Sequence, residues 1–150
     1  MKWLRWFALT IMLAGSTSVA LAVDTEQSAD APDLSAVRAK IKARDFGGAI
    51  GELNGMIDKG VQHPDLYSLL GFSLRKSGDQ KTAMTFYSKA LEFNPEHKGA
   101  LEYQGELFVE IGDLTRARIN AAKLAKLCPQ GCEEREDLDQ AIGAAQPKSR

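Results

Sequence analysis

Residues of the same type recur along this chain at intervals of 34 positions. Small residues, a glycine-aspartate pair and proline all follow this one interval. The repeated positions are Ala49, Ala83 and Ala117, Gly71 and Gly105, Gly78-Asp79 and Gly112-Asp113, and Pro95 and Pro129. Periods of about 20 to 50 residues are typical of stacked supersecondary units. The interval therefore predicts three units, at residues 30–63, 64–97 and 98–131.

Each unit is predicted to contain two helices separated by a tight turn. In the unit at 64–97, two groups of apolar residues have the spacing of a helix face. They are Leu66, Leu69, Leu70 and Leu74, and then Ala83, Phe86, Tyr87, Ala90 and Leu91. Gly78 can end the first helix, and Asp79 can cap the second by accepting hydrogen bonds from its free N–H groups. Pro95 then prevents the second helix from continuing.

The unit at 64–97 resembles the tetratricopeptide repeat. The residues that carry the resemblance are Tyr67, Leu70-Gly71, Gly78-Asp79, Ala83, Tyr87, Ala90-Leu91 and Asn94-Pro95. The unit at 98–131 keeps Gly105, Gly112-Asp113, Ala117 and Pro129 but has Ala121 where the family has an aromatic residue, and the unit at 30–63 matches less. The resemblance implies an all-α fold, a short α-solenoid of about three helical hairpins. It also implies that Gly71 and Ala83 allow two helices to approach closely, and that Tyr87 fills the gap to the next hairpin.

The two ends of the predicted repeat region differ in composition. In the first unit, the glycines at 47, 48, 51 and 55 each disfavour a helix by about 0.5 to 1 kcal/mol relative to alanine, so we expect this end to fray partly. After the last unit, residues 133–145 place Leu138, Ala141, Ile142 and Ala145 on one helical face and acidic residues on the other. This segment is predicted to be a C-terminal capping helix, as required for solubility of stacked repeats. A partner-binding helix is the alternative.

The segment at 1–22 has the layout of a secretory signal peptide. Lys2 and Arg5 precede an uncharged apolar run that is followed by Ala20-Leu21-Ala22,. This predicts cleavage after Ala22, a flexible leader at 23–32, a repeat domain at 33–145 and a flexible tail at 146–150. The predicted location is the bacterial periplasm. An uncleaved membrane anchor is the alternative, because no charge lies between Trp6 and Val23,.

The overall charge is close to balanced, with 19 basic and 20 acidic side chains and a formal net charge of −1. Removal of the signal peptide would make the chain more negative, since its charged side chains are all basic. Nucleic-acid binding depends on neutralising phosphates with basic side chains. The charge therefore argues against a nucleic-acid partner, and against membrane binding once the signal is cleaved.

Cys128 and Cys132 lie in the turn that leads into the capping helix, with three residues between them. The prediction is a structural disulfide that holds this helix, and the chain-entropy relation gives about 2 kcal/mol for so short a loop. A redox-active pair is the first alternative, although the Cys-x-x-Cys spacing is missing. A metal site is the second, although two cysteines do not complete a tetrahedral shell. The alternative function is thus a periplasmic thiol-redox or metal-handling protein.

Residues suited to catalysis are not apparent in the sequence. His63 and His97 are 34 positions apart and are interpreted as polar turn residues, with partner contact as the alternative. Motifs for zinc proteases, serine hydrolases, phosphate loops and dinucleotide binding are not found. The sequence therefore predicts a protein that is not an enzyme and has no cofactor and no metal.

In tetratricopeptide proteins the first helix of each hairpin lines a concave groove that receives an extended peptide or a helix. The resemblance places eight side chains on this surface: Arg38, Lys42, Phe72, Arg75, Lys76, Glu102, Glu106 and Glu110. Such a groove would be basic at one end and acidic at the other, although ordinary solvated helix faces are the alternative. Phe72 stands where the family's clamp for C-terminal carboxylates has an asparagine. A segment with both charge signs and an apolar anchor therefore fits better.

The function expected from the sequence is a non-catalytic protein-protein interaction module. It would act as an adaptor, scaffold or assembly factor, with a protein or peptide partner in the cell envelope.

Overall fold

The computed structural model describes residues 31–146, which form seven α-helices and, within that range, no β-strand. The helices are α1 (Ser35–Lys42), α2 (Phe46–Asp58), α3 (Pro64–Lys76), α4 (Gln80–Phe93), α5 (Lys98–Glu110), α6 (Leu114–Leu127) and α7 (Glu133–Ala145). The predicted signal peptide, nearly all of the predicted leader, and residues 147–150 lie outside the described residues. Among helices α1 to α7, none is long and apolar enough to cross a membrane.

The even-numbered helices α2, α4 and α6 begin with the same local structure. Each follows an aspartate whose side chain accepts a hydrogen bond from the backbone N–H three residues later, at 2.9 to 3.0 Å. These aspartates are Asp45, Asp79 and Asp113. The residue before each aspartate has a positive φ, 61° at Arg44, 95° at Gly78 and 81° at Gly112. Glycine adopts this conformation readily, so the first turn is the strained one of the three.

The histidines form the N-caps of α3 and α5. His63 Nδ1 accepts a hydrogen bond from the backbone N–H of Asp65 at 3.2 Å, and His97 Nδ1 accepts one from Ala100 at 3.0 Å. His97 Nε2 also lies 2.6 Å from Oδ1 of Asp65. The interaction between His97 and Asp65 therefore connects the start of α5 to the start of α3.

Each helix packs against the next one in the chain, and α5 packs in addition against both α3 and α7. Helices α3, α5 and α7 consequently lie side by side. The glycine-rich helix α2 runs without interruption and packs on α3, with Ala49 and Leu53 fully buried. A second group of buried side chains lies between α5, α6 and α7, and includes Leu101, Leu124 and Leu138.

Gly71 allows α3 and α4 to approach closely. A Cβ atom at this position would lie 2.6 Å from two ring carbons of Tyr87 and 3.2 Å from the carbonyl oxygen of Ala83. The Tyr87 ring is fully buried and lies 6.3 Å from the ring of Tyr103 on α5. Tyr87 thus fills the space between α3, α4 and α5.

The equivalent position in the following unit is Gly105, and it is filled in a different way. Ala121 stands one repeat interval after Tyr87, and its side chain is too short to reach across. A Cβ atom at Gly105 would instead lie 2.5 Å from Cδ2 of Leu138. The leucine of α7 therefore occupies the space that an aromatic ring occupies one unit earlier.

Replacing Gly71 with alanine is expected to destabilise the protein, whereas the same change at Gly51 is expected to stabilise it. The methyl group at position 71 would displace the Tyr87 ring, and overpacking of this kind typically costs about 1 to 3 kcal/mol. A Cβ at Gly51 meets no atom within 4 Å, so the change should raise stability by about 0.5 to 1 kcal/mol. Urea denaturation of the two variants measures both effects, and shifts of the same sign would contradict this description of Gly71.

Candidate functional site

A cavity of about 680 Å³ is lined by side chains from α1, α3, α5 and α7 and from the turn before α5. Five of the eight side chains predicted for the groove line this cavity. They are Arg38, Phe72, Lys76, Glu102 and Glu106. The structure therefore brings together one set of basic, aromatic and acidic side chains from helices that are distant in sequence.

The other three predicted groove residues do not line the cavity. Lys42 is exposed at the end of α1. Arg75 is only 5% exposed and forms ion pairs with Glu106 and Glu110, the second with 3.1 Å between Nη1 and Oε1. Because α3 and α5 lie side by side, the guanidinium meets these two carboxylates within the protein. Arg75 is thus not available as a free cation for a partner.

Aromatic side chains form one wall of the cavity. The Phe72 ring lies 4.8 Å from the Tyr103 ring and 6.3 Å from the Phe46 ring, measured between centroids. Lys76 Nζ lies 5.3 Å from the centre of the Phe72 ring. Tyr103 was not predicted from the sequence. It stands one repeat interval after Leu69, which also lines the cavity, so the periodicity could have identified it.

Acidic side chains form the other wall, and part of it comes from α7. Glu133, Glu134 and Asp137 line the cavity together with Glu102 and Glu106. From the sequence, α7 was predicted to be a capping helix with its acids on the face opposite Leu138. Glu133 and Glu134 lie four and three residues before Asp137, spacings that make each of them its neighbour on the helix surface, and this was the available signal. Packing of α7 beside α5 turns this face toward Glu102.

Glu102 is the most unusual of these acids. Its side chain lines the cavity, yet the residue is only 7% exposed. Burial, followed by repulsion from Glu106, Asp137 and Glu134, raises the pKa of its carboxyl to about 8. An ordinary glutamate has a pKa of about 4.3. The Glu102 carboxyl is therefore largely protonated at neutral pH.

The sulfur atoms of Cys128 and Cys132 lie 2.05 Å apart, the distance of a disulfide bond. Cys128 follows the last residue of α6, and Cys132 precedes the first residue of α7. Arg135 Nη1 donates a hydrogen bond to the carbonyl oxygen of Cys128 at 3.4 Å. The pair thus connects the end of α6 to the helix that carries part of the acidic wall. No group of three or more metal-ligating side chains suited to an ion occurs between residues 31 and 146.

A second cavity, of about 750 Å³, lies among α4, α5 and α6 and has a different lining. Its apolar side chains are Met84, Leu107 and Ile111, and Glu92 lies among its polar ones. None of the predicted site residues lines it. Of the two cavities, only the first is lined by aromatic side chains and by residues predicted for the groove.

No protein-family model matches this chain. Over 62 residues, the chain is 32% identical to the uncharacterized protein ycf37 of Pyropia yezoensis. The matched segment covers 41% of this chain and 35% of that protein. The chain is therefore similar to that protein at low identity over one segment, and it spans about a third of that relative's length.

Proposed function

We propose that this chain is a short α-solenoid of three tetratricopeptide-type hairpins, covered by α7, and that it is a non-catalytic module that binds a protein segment. The hairpins are α1 with α2, α3 with α4, and α5 with α6. Two observations support this arrangement. The same helix start recurs at the repeat interval, at Asp45, Asp79 and Asp113, and α3, α5 and α7 lie in one row.

The observation that carries the proposal is that equivalent positions of the three hairpins face one cavity. Arg38, Phe72 and Glu106 are separated by one repeat interval each, and all three line it. Stacked repeats create extended binding surfaces in this way, because each unit presents the same position to the same side. A partner would therefore contact one side chain from each hairpin.

The chemistry of the lining favours a protein segment over a small molecule. Small-molecule sites are lined predominantly by apolar side chains with few polar groups, whereas this cavity has charged side chains on most of its wall. Protein interfaces typically combine an aromatic anchor with polar surroundings. Phe72 and Tyr103 supply the anchor here.

We place this function outside the cytoplasm, in the cell envelope. The layout of residues 1–22 supports export,. A disulfide between Cys128 and Cys132 fits the same compartment, because disulfides persist where the environment is oxidising,.

Site-specific photo-crosslinking tests the proposal. A benzoylphenylalanine at position 76, where the native lysine is exposed beside Phe72, should form adducts with a defined protein in cells that make this chain. The same group in place of Lys123, which is exposed on α6 and does not line the cavity, should not form those adducts. The proposal fails if position 76 yields no adduct, or if both positions yield the same ones.

A further inference from the structure

Glu102 has no partner within the part of the chain that the structure describes. Its carboxyl forms neither a hydrogen bond nor an ion pair with another group of residues 31–146. Burial of a polar group without a partner is unfavourable, so buried polar side chains in proteins are normally hydrogen-bonded. Asn120, which is buried to a similar degree beside the same helix, donates hydrogen bonds to the carbonyl oxygen of Leu101 and to Oε1 of Gln104. The carboxyl oxygens of Glu102 can therefore accept a hydrogen bond from a donor in the cavity.

The charges nearest to Glu102 give this end of the cavity a negative potential. Glu106 on α5 and Glu134 and Asp137 on α7 all repel a charge on its carboxyl. Arg75 attracts it, but that guanidinium is already held by Glu106 and by a second carboxylate on α5. An anion entering here would meet repulsion from several sides, whereas a cation would be attracted.

The basic side chains of the cavity do not neutralise this acidic wall. Arg38, Lys76 and Lys98 line the cavity, yet within residues 31–146 none of them forms an ion pair. Lys76 lies over the Phe72 ring instead. A cationic partner for the Glu102 carboxyl would therefore have to come from another molecule.

We propose that the protein segment bound in this cavity presents a lysine or arginine to Glu102, with the cationic group held between α5 and α7. This inference rests on the proposed function and specifies the partner's chemistry. The acids of α7 lie on one side of the cation, and the Tyr103 ring is available to the aliphatic part of its side chain. Lysine and arginine carry three and five donors, respectively, enough to serve more than one carboxylate.

The proposal includes a dependence of binding on pH. Glu102 must ionise to pair with a cation, so binding releases a proton and tightens as pH rises through about 8,. Between pH 7 and pH 9 the ionised fraction of the free protein rises from about one tenth to about nine tenths, which predicts about tenfold tighter binding. The groups that face Glu102 from the packed helices are Glu106 and Tyr103 on α5, Glu134 and Asp137 on α7, and Arg75 on α3.

The experiment selects binders from a displayed library of random nine-residue peptides, on the intact protein and on Glu102→Gln. Peptides selected by the native protein should be enriched in lysine or arginine, and those selected by the variant should lose the enrichment. For a peptide from the first selection, Glu102→Gln should weaken binding at pH 8 by at least about tenfold. It should also abolish the tightening with pH. Glu92→Gln removes a charge from α4 outside this cavity and should leave the affinity within about twofold.

The folding of the variant is checked separately. At pH 7 the Glu102 carboxyl is ionised in the unfolded chain but largely protonated in the folded protein, since burial raises its pKa. This difference favours the unfolded chain, so Glu102→Gln should leave the protein at least as stable. Asp137→Asn, at an exposed position of α7, is the second variant and should weaken binding by a smaller factor.

Several outcomes would overturn the proposal. Selected peptides without basic residues, or peptides whose affinity is unaffected by Glu102→Gln, would refute the cation site while the binding function stands. Release of a selected peptide by 1 mM calcium chloride, but not by magnesium or sodium chloride of equal ionic strength, would assign the acidic wall to a metal ion. If no selected peptide reduces the formation of adducts by the photo-crosslinking group at position 76, the proposed function fails as well.

Discussion

Replacing Leu138 with alanine is expected to destabilise the protein by about 3 kcal/mol, because removal of a buried leucine side chain typically costs about 2 to 5 kcal/mol. Leu138 is fully buried among residues of α5 and α6, including Leu101, Phe108 and Leu124. Its terminal carbons also lie directly over Gly105. No aromatic ring from α6 can replace it, since Ala121 occupies the equivalent position. Urea denaturation measures the loss.

The cavity left by Leu138→Ala can be partly refilled from α5, by a methyl group at position 105. Gly105→Ala alone would force Leu138 to move, whereas the Leu138→Ala background lacks the three atoms that lie nearest to the added methyl group. The double variant should therefore be more stable than Leu138→Ala by about 1 kcal/mol, the usual gain for replacing a helical glycine with alanine. Ile119→Ala is the control, because Ile119 is 52% exposed and its change should stay within about 0.5 kcal/mol. Equal losses for Leu138→Ala and Ile119→Ala would contradict the role assigned to α7.

Neutralising both carboxylates that hold Arg75 is the second large effect we expect. Glu106→Gln with Glu110→Gln leaves a guanidinium whose side chain is only 2% exposed without a counter-charge. Breaking a buried ion pair from one side typically costs about 3 to 5 kcal/mol. The two glutamates are partly exposed, so a loss near the lower end, about 3 kcal/mol, is the expected result of denaturant unfolding.

Adding a third substitution tests whether the loss of stability in the double variant comes from the unpaired charge of Arg75. Adding Arg75→Met to the double variant removes the buried cation, and replacing a whole ion pair by apolar or neutral groups is often close to neutral. The triple variant should therefore recover most of the lost stability. Glu92→Gln with Glu96→Gln removes the same number of charges from exposed positions and should change stability by less than about 0.5 kcal/mol. A double variant as stable as the native protein would show that Arg75 does not depend on α5.

The positions of the helices could be predicted from the sequence because they depend on short-range interactions. The break at Gly78-Asp79 appears in the structure as a glycine with positive φ, followed by a capping aspartate. Pro64 occupies the first turn of α3, and α7 spans the segment predicted to be a helix. Glycine, proline and capping side chains act on backbone atoms within a few residues, so their effects can be read along the chain.

The candidate site could be predicted only in part, because helix spacing shows which residues share a face but not what that face meets. Arg38, Phe72 and Lys76, which the sequence placed on one surface, line the same cavity. Arg75 was predicted on the same surface, yet it is buried against α5. Its orientation depends on the contact between two helices that are about one repeat apart, and no local rule includes that contact.

By itself, the sequence determined the all-helical secondary structure of the described region, the places where its helices begin and end, and the fixed interval at which polar and apolar positions recur. Tertiary structure alone decided that Arg75 would be paired, that Leu138 would cover Gly105, and that acids of α7 would surround Glu102. The physical reason is that ion pairing, close packing and desolvation depend on distances between helices. Such distances exist only after the chain has folded.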